Sequence, residues 1–435
     1  MQMYFDNGLN DNGQCAKDLI THIRHIMRTK NTNLVFSADL SDTAAILRIV
    51  GEIGDQLLGV KLHSDTITGF DDDFVKNLRC LAQMHEFIII EDRKLCDIGS
   101  TARAQVVPIA KYADLITVHG LPGCGILDGI RSVCIENSCG VLLIAEMSSQ
   151  DNLLDVTYTN KIVEMARQNR DIVVGFIAQH RLDGNFLHFA PGINVSEVTN
   201  DALGQQYNTP RKIIRDNCVD ILIVGRGIND IYKTICDHKQ TVSKFIYTQR
   251  DSLVETLFEK GIVKTGNFVL KSGQTSTVYA DFRMLMASPN LHHKIACELR
   301  DLINEFLDMH ASSSAKLVLA GVPLGALPLA TMVSYVSEIP MVMVRTEPKT
   351  YGLKKVIEGY DETTTSQKEC IVIEDVLTTG GSVLQTIGLL EANGFKVVHV
   401  VAILDREESA VKTLETSGYT VSTLFKLSDL RVDKN

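Results

Sequence analysis

No CxxC pair and no short-spaced metal pattern occurs among the ten cysteines, at positions 15, 80, 96, 124, 134, 139, 218, 236, 297 and 370. Such cysteines read as reduced, mostly buried thiols. No amino-terminal segment joins a basic start to an apolar core, so a secretory signal is not expected, and a reducing compartment follows. The ending RVDKN lacks a peroxisomal SKL-type address, and a cytoplasmic location is expected. The apolar stretch from Leu317 to Val333 is broken by Gly321, Pro323, Gly325 and Pro328, which predicts a strand, a turn and a helix rather than a membrane span. Internal repeats and low-complexity segments are also absent. A net charge of −10 disfavours nucleic-acid binding, although a local Lys/Arg cluster still suits anionic small molecules.

What is present is ordinary globular material, 45% apolar and 22% charged, in a chain of 435 residues that exceeds one hydrophobic core. The first half carries eight apolar, β-branched runs, at 34–40, 57–62, 87–92, 115–120, 141–147, 172–178, 188–193 and 221–227. Continuous rather than alternating apolarity means burial on both faces, as in a parallel sheet, and eight such units predict a closed (β/α)8 TIM barrel. Polar residues fall at the carboxyl ends of the runs: Asp39, Lys61, His63, Asp92, Lys94, Ser148 and Arg226. A barrel gathers those ends at one mouth, where reacting groups sit. The densest cluster is the hexapeptide Asp92-Arg93-Lys94-Leu95-Cys96-Asp97, in which Cys96 is expected to pack rather than react.

Past the polar stretch at 236–244 a second domain is expected, dividing the chain into 1–243 and 244–435. Ser252 and Glu255 have capping-box spacing at the start of a helix. Buried runs at 316–321, 340–345, 370–376 and 397–405 alternate with helical segments, predicting a smaller, open doubly wound sheet. The third run ends in Glu374 and Asp375, then Thr378, Thr379, Gly380, Gly381 and Ser382 open a helix. Glycine backbone amides, hydroxyls and a helix amino terminus together suit a phosphate, and the acidic pair suits sugar hydroxyls. No lysine follows the glycines, so this is no Walker loop, and no GxGxxG points to a dinucleotide.

The acidic pair with TTGGS resembles the phosphoribosyl-pyrophosphate motif of type I phosphoribosyltransferases. Residues 268–283 and 344–359 resemble orotate phosphoribosyltransferase in particular. The first half resembles eukaryotic-type orotidine 5′-phosphate decarboxylase through SAD (37–39), KLH (61–63), EDRKLCDIGST (91–101), AEMSS (145–149), GQQY (204–207) and VGRG (224–227). The pair resembles the bifunctional UMP synthase family with the decarboxylase first, the reverse of the animal order.

The resemblance implies a catalytic array of Lys61, Asp92, Lys94 and Asp97, with Lys94 as proton donor and no metal. Asp97 and Thr101 would serve the partner subunit's site, which implies a homodimer or higher homo-oligomer with shared active sites. Ser37, Asp39 and His63 would handle the ribose and its surroundings, Ser148 the pyrimidine edge, and Gln205, Tyr207, Gly225 and Arg226 the phosphate. Pro191 and Gln206 join them as substrate-binding residues. In the transferase half, Glu374 and Asp375 would hold ribose hydroxyls and Thr378 to Ser382 the 5′-phosphate. Lys271, Phe282 and Arg406 would contact orotate. Arg345, Lys349 and Tyr351 would close over the pyrophosphate, with Lys349 catalytic and Mg2+ arriving with the pyrophosphate. Thr346 and Gly325 stand where relatives carry lysine, which predicts altered pyrophosphate affinity. Two other readings stay open: a metal-using sugar-phosphate decarboxylase or aldolase barrel with the same D-x-K-x-x-D spacing, and a regulatory protein that senses phosphoribosyl pyrophosphate without turnover.

Overall fold

Each of the eight apolar runs becomes a strand: β1 (Leu34–Ser37), β2 (Gly59–Leu62), β3 (Ile88–Leu95), β4 (Leu115–His119), β5 (Gly140–Ile144), β6 (Val173–Ile177), β7 (Leu187–Ala190) and β8 (Ile221–Val224). They pair in parallel in chain order, and β8 returns to β1 to close the barrel. The computed structural model describes residues 14–195, 204–234, 238–269, 275–310, 317–345, 356–360 and 368–430. Its two compact units are Met1–Leu253 and Val254–Asn435. Inside the barrel Val35, Ile88, Ile90, Leu115, Leu142, Val174, Phe189 and Ile221 form one core with Leu19, Ile23 and Ile26 from helix Gln14–Thr29. Side chains alternate along a strand, so the inward rows of β1 to β4 end in Ser37, Lys61, Asp92 and Thr117. Apolar filling thus gives way to polar groups at one end only.

The opposite end is tied by Lys30. Its Nζ donates to the carbonyl oxygens of Gly54 (2.9 Å), Leu57 (2.5 Å), His85 (2.6 Å) and Glu86 (3.2 Å), joining the turns that lead into β2 and β3. Lys30→Met removes the ammonium shared by these carbonyls, of which Gly54 keeps the Leu57 amide at 3.2 Å, and is expected to lower barrel stability by about 3 kcal/mol, the scale of hydrogen bonds to a charged group. Urea unfolding of the two full-length chains measures it.

Helix Gln249–Glu259 does not use the expected Ser252/Glu255 box. Asp251 Oδ2 accepts the Thr248 amide at 2.7 Å, and Thr248 Oγ1 accepts the Asp251 amide at 3.2 Å. The same capping spacing one turn earlier captures the helix start, and Ser252 is left inside the first turn.

In the second unit the four expected runs become β11 (Leu317–Gly321), β12 (Met341–Val344), β14 (Lys368–Leu377) and β15 (Phe395–Asp405), joined by β13 (Ile357–Glu358) and β16 (Thr420–Lys426). Their order is β13-β12-β11-β14-β15-β16, parallel except for β12 with β13. A separate antiparallel pair, β9 (Val263–Val269) and β10 (Thr275–Ala280), was not expected. The chain order reverses between β11 and β14, and ligands of doubly wound sheets bind at such a switch point. The apolar stretch at 317 is β11 followed by the eleven-residue helix Leu327–Ser337. No described helix is long and apolar enough to cross a membrane.

Buried His399 on β15 stacks on Phe306, with centroids 4.1 Å apart, and bonds Thr420 Oγ1 (2.7 Å) and Ser422 Oγ (3.0 Å). Burial, then the neighbouring His310, pulls its pKa from the ordinary 6.5 to about 4. The folded state therefore holds His399 neutral while the unfolded chain takes up a proton below pH 6.5. Its stabilisation is whole above that pH and is lost as pH falls toward 4, by roughly 3 kcal/mol. Amide exchange across β15 and β16 should accelerate over this window in the wild type and less in His399→Gln.

Candidate active sites

Strand register assembles the first site. Ser37 on β1 lies opposite Lys61 on β2, Lys61 opposite Ile90 on β3, and Ile90 opposite Leu115 on β4. Asp92 and Thr117 are each two residues further along their inward rows, so they meet. The Lys61 ammonium lies 2.7 Å from Asp92 Oδ2, and the Lys94 ammonium is 2.7 Å from that same oxygen. Lys61 also donates to His63 Nε2 at 3.0 Å, and Asp39 Oδ1 stands 3.9 Å from the Lys61 ammonium. Ser37 Oγ donates to Asp39 Oδ1 at 2.8 Å.

The electrostatics follow from burial. Lys61 is 5% and Asp92 9% exposed. Burial alone would raise the Asp92 carboxyl, but Lys61 and Lys94 with their hydrogen bonds hold it well below the usual carboxylate range. Burial, then Lys61, lowers His63, which favours the neutral imidazole whose Nε2 accepts the Lys61 hydrogen bond. The cluster is an alternating array of ammonium and carboxylate with a cation at its open edge. Lys94 adopts φ 48°, a left-handed conformation costing a lysine roughly 1 kcal/mol or more. Such strain persists only where surroundings enforce it.

A methyl group on Gly225 would sit 2.6 Å from Asp39 Oδ2 and 3.3 Å from Ser37 Cβ, so a larger residue there would displace the Asp39 carboxylate that stands by Lys61. Arg226 follows immediately and opens helix Arg226–Thr234. Around Gly192 (φ 77°) a second group converges: an added Cβ would meet Gln206 O, Gln205 Nε2 and Ser148 Cβ within 3.1 Å. Pro191 precedes that glycine, Gln206 N donates to Ser148 O at 3.0 Å, and Tyr207 continues the same segment.

Asp97 does not join the array of its own chain. It is exposed, and its Oδ1 accepts the Ile98 amide at 2.7 Å. Thr101 lies in helix Gly99–Ile109, next to the exposed Ile98. Both follow the end of β3 at Leu95, beyond the stretch that bears Asp92 and Lys94.

Sequence reasoning passed over Thr117, Glu91 and Glu146. Thr117 Oγ1 donates to Asp92 Oδ1 and accepts from the Lys94 amide, both at 2.8 Å. Buried Glu91 takes the Ser64 amide (3.0 Å), Ser64 Oγ (2.9 Å) and Tyr112 hydroxyl (3.0 Å), fixing the turn after His63. Glu146 takes the Gln179 (2.6 Å) and His180 (3.1 Å) amides, joining the ends of β5 and β6. Glu91 and Glu146 stand inside quoted motifs. Thr117, in the middle of β4, had no signal of its own.

The second site lies at the end of β14. Glu374 is buried, and burial, then the Asp375 side chain, pushes its carboxyl up to about 9. Thr378 and Thr379 follow, Gly380 turns at φ 86°, and helix Gly381–Ala392 opens with Ser382 in its first turn. Phe282, Gly325 and Asp375 line one narrow cleft. A Cβ on Gly325 would stand 3.0 Å from Asp375 Oδ2, so glycine there gives that carboxylate room. Arg406, at the end of β15, is buried, with Nε on Glu408 Oε1 (2.9 Å) and a terminal nitrogen on Ser276 Oγ (3.1 Å). Arg345 pairs with both oxygens of Glu358 (2.9 and 3.4 Å) across β12 and β13, rather than standing open for pyrophosphate. Lys271, Thr346, Lys349 and Tyr351 lie outside the described residues.

Residues 32–232 match the orotidine 5′-phosphate decarboxylase / HUMPS family, and residues 290–423 match the phosphoribosyl transferase domain. Orotidine 5′-phosphate decarboxylase of Rhizomucor pusillus is 42% identical over 233 residues, covering 52% of this chain and 87% of the relative. Uridine 5′-monophosphate synthase of Bos taurus is 41% identical over 209 residues, 47% of this chain and 43% of that protein. The solved UMP synthase of Leishmania donovani superposes with a TM-score of 0.54 at 20% identity, covering 94% of this chain and 93% of that one, a likeness of fold.

Proposed function

The chain belongs to the orotidine 5′-phosphate decarboxylase family, and on that premise we propose that it carries out two consecutive reactions. Its phosphoribosyl transferase domain joins orotate to phosphoribosyl pyrophosphate, giving orotidylate and pyrophosphate. Its barrel converts orotidylate and a proton to UMP and carbon dioxide. The observation that carries this reading is one carboxylate oxygen of buried Asp92 shared by the Lys61 and Lys94 ammoniums.

Loss of carbon dioxide from C6 leaves a vinylic carbanion with no neighbouring electron sink. A cation fixed beside C6 stabilises that charge as it develops, without reorganisation. Lys94, less buried than Lys61, is the ammonium placed to face a ligand and give C6 its proton. Asp92 lies against the departing carboxylate, and Lys61 with neutral His63 holds it there. Arg226, Gln205 and Tyr207 bind the phosphate, whose remote binding energy closes the site.

In the transferase, Asp375 and Glu374 take the ribose hydroxyls and the Thr378–Ser382 turn the 5′-phosphate. The Asp375 carboxylate offers hard oxygen donors that fit Mg2+ but no complete cage; among the described residues no cluster of three or more metal-binding side chains occurs. Bound with the pyrophosphate, Mg2+ would supply charge neutralisation of the leaving group. Residues 97 and 101 complete the partner's array in a homodimer, a role that suits exposed Asp97 beside an isoleucine that is 66% exposed. Of the nine described cysteines only Cys134, Cys139 and Cys370 are buried, fewer than expected, and Cys96 is exposed rather than packed; a cytoplasmic location rests on the sequence reading alone.

Incubation of the chain with orotate, phosphoribosyl pyrophosphate and Mg2+ should release pyrophosphate and carbon dioxide in equal amounts and form UMP. Pyrophosphate release that ignores orotate would remove the transferase assignment.

A further inference from the structure

We propose that Thr117 is a positioning residue for the decarboxylation: it imposes the carboxylate orientation of Asp92 and the backbone conformation of Lys94 that bring both ammoniums to one oxygen. The inference rests on the decarboxylase reading and deepens it. The β3–β4 ladder pairs Glu91 with Ile116 and resumes at Leu95 with Val118. Three residues of β3, Asp92 to Lys94, therefore face the single residue Thr117, and the ladder is open where the chemistry sits. Thr117 closes it with its side chain. A backbone N–H only donates, so the 2.8 Å contact from the Lys94 amide makes Thr117 Oγ1 an acceptor, and its own proton goes to Asp92 Oδ1 at 2.8 Å. With Oδ1 turned to Thr117, Oδ2 is the oxygen that faces Lys61 and Lys94. The same hydroxyl holds the amide of the one left-handed lysine in the array, φ 48°. Thr117 is fully buried, so no water replaces it.

Thr117→Val keeps the volume and removes both bonds. Its kcat for orotidylate is expected to fall about 100-fold, the scale of a misplaced catalytic group, with KM and UMP affinity within about threefold of wild type. Thr117→Ser restores the hydroxyl and most of the kcat. Should the valine chain fail to fold, Thr117→Ala gives the same split. UMP affinity reports on an intact barrel, so a merely structural role would lower it together with kcat. A kcat within threefold of wild type in the hydroxyl-less variants, or a parallel loss of kcat and UMP affinity that serine does not rescue, overturns the proposal. A wild-type chain inert toward orotidylate sinks the decarboxylase reading itself.

Discussion

Lys94→Ala is expected to halt the chain at orotidylate, with decarboxylation slowed about 10⁵-fold while orotate is still consumed at the wild-type rate. Two factors multiply: loss of the proton donor, about 10²–10⁴, and loss of a preorganised charge beside the carbanion, about 10²–10³. The variant leaves Asp92 paired with Lys61 at 2.7 Å, so the remaining array stays neutralised and the effect belongs to chemistry rather than folding. Chromatography of the reaction mixture separates orotidylate from UMP. UMP forming at the wild-type rate would remove Lys94 from the mechanism.

Asp375→Ala should stop orotate consumption, by about 10³-fold, while orotidylate supplied directly is decarboxylated normally. The asymmetry within the acidic pair makes this specific. Burial pushes Glu374 up to about 9, so near neutral pH its carboxyl is largely protonated. Asp375 is the member of the pair whose Oδ2 faces the space that Gly325 leaves open. Glu374→Gln keeps a neutral side chain of the same shape and should cost less than about tenfold, the scale of one neutral hydrogen bond. Orotate disappearance, followed by absorbance on all three chains, measures both. A larger loss in Glu374→Gln than in Asp375→Ala would reverse the assignment.

The barrel was legible because a parallel sheet buried on both faces writes itself as continuous apolar runs, and all eight became strands. Strand-end polarity located Lys61, Asp92 and Lys94 for the same reason: charge tolerated at the end of a buried run faces the mouth. The hairpin β9–β10 and edge strand β16 escaped because their exposed faces break up apolarity, as in Val263–Val269, where only the first residue is buried. The widened β3–β4 step and left-handed Lys94 have no sequence signature, since a bulge is a property of two strands and neither alone reveals it. Thr117 was invisible with them. Arg345 shows a further limit: a cation beside a loop looks available for an anion, and its pairing with the cross-strand neighbour Glu358 could not be read from the sequence.

In the proposed mechanism fixed side-chain charge, without a metal, carries the decarboxylation. Orotidylate turnover by the wild-type chain in excess EDTA tests it directly. The array of Lys61, Asp92 and Lys94 predicts an unchanged rate of UMP formation, even as the same chelator stops orotate consumption at the transferase. Loss of orotidylate turnover on chelation, restored by added divalent metal, would contradict it.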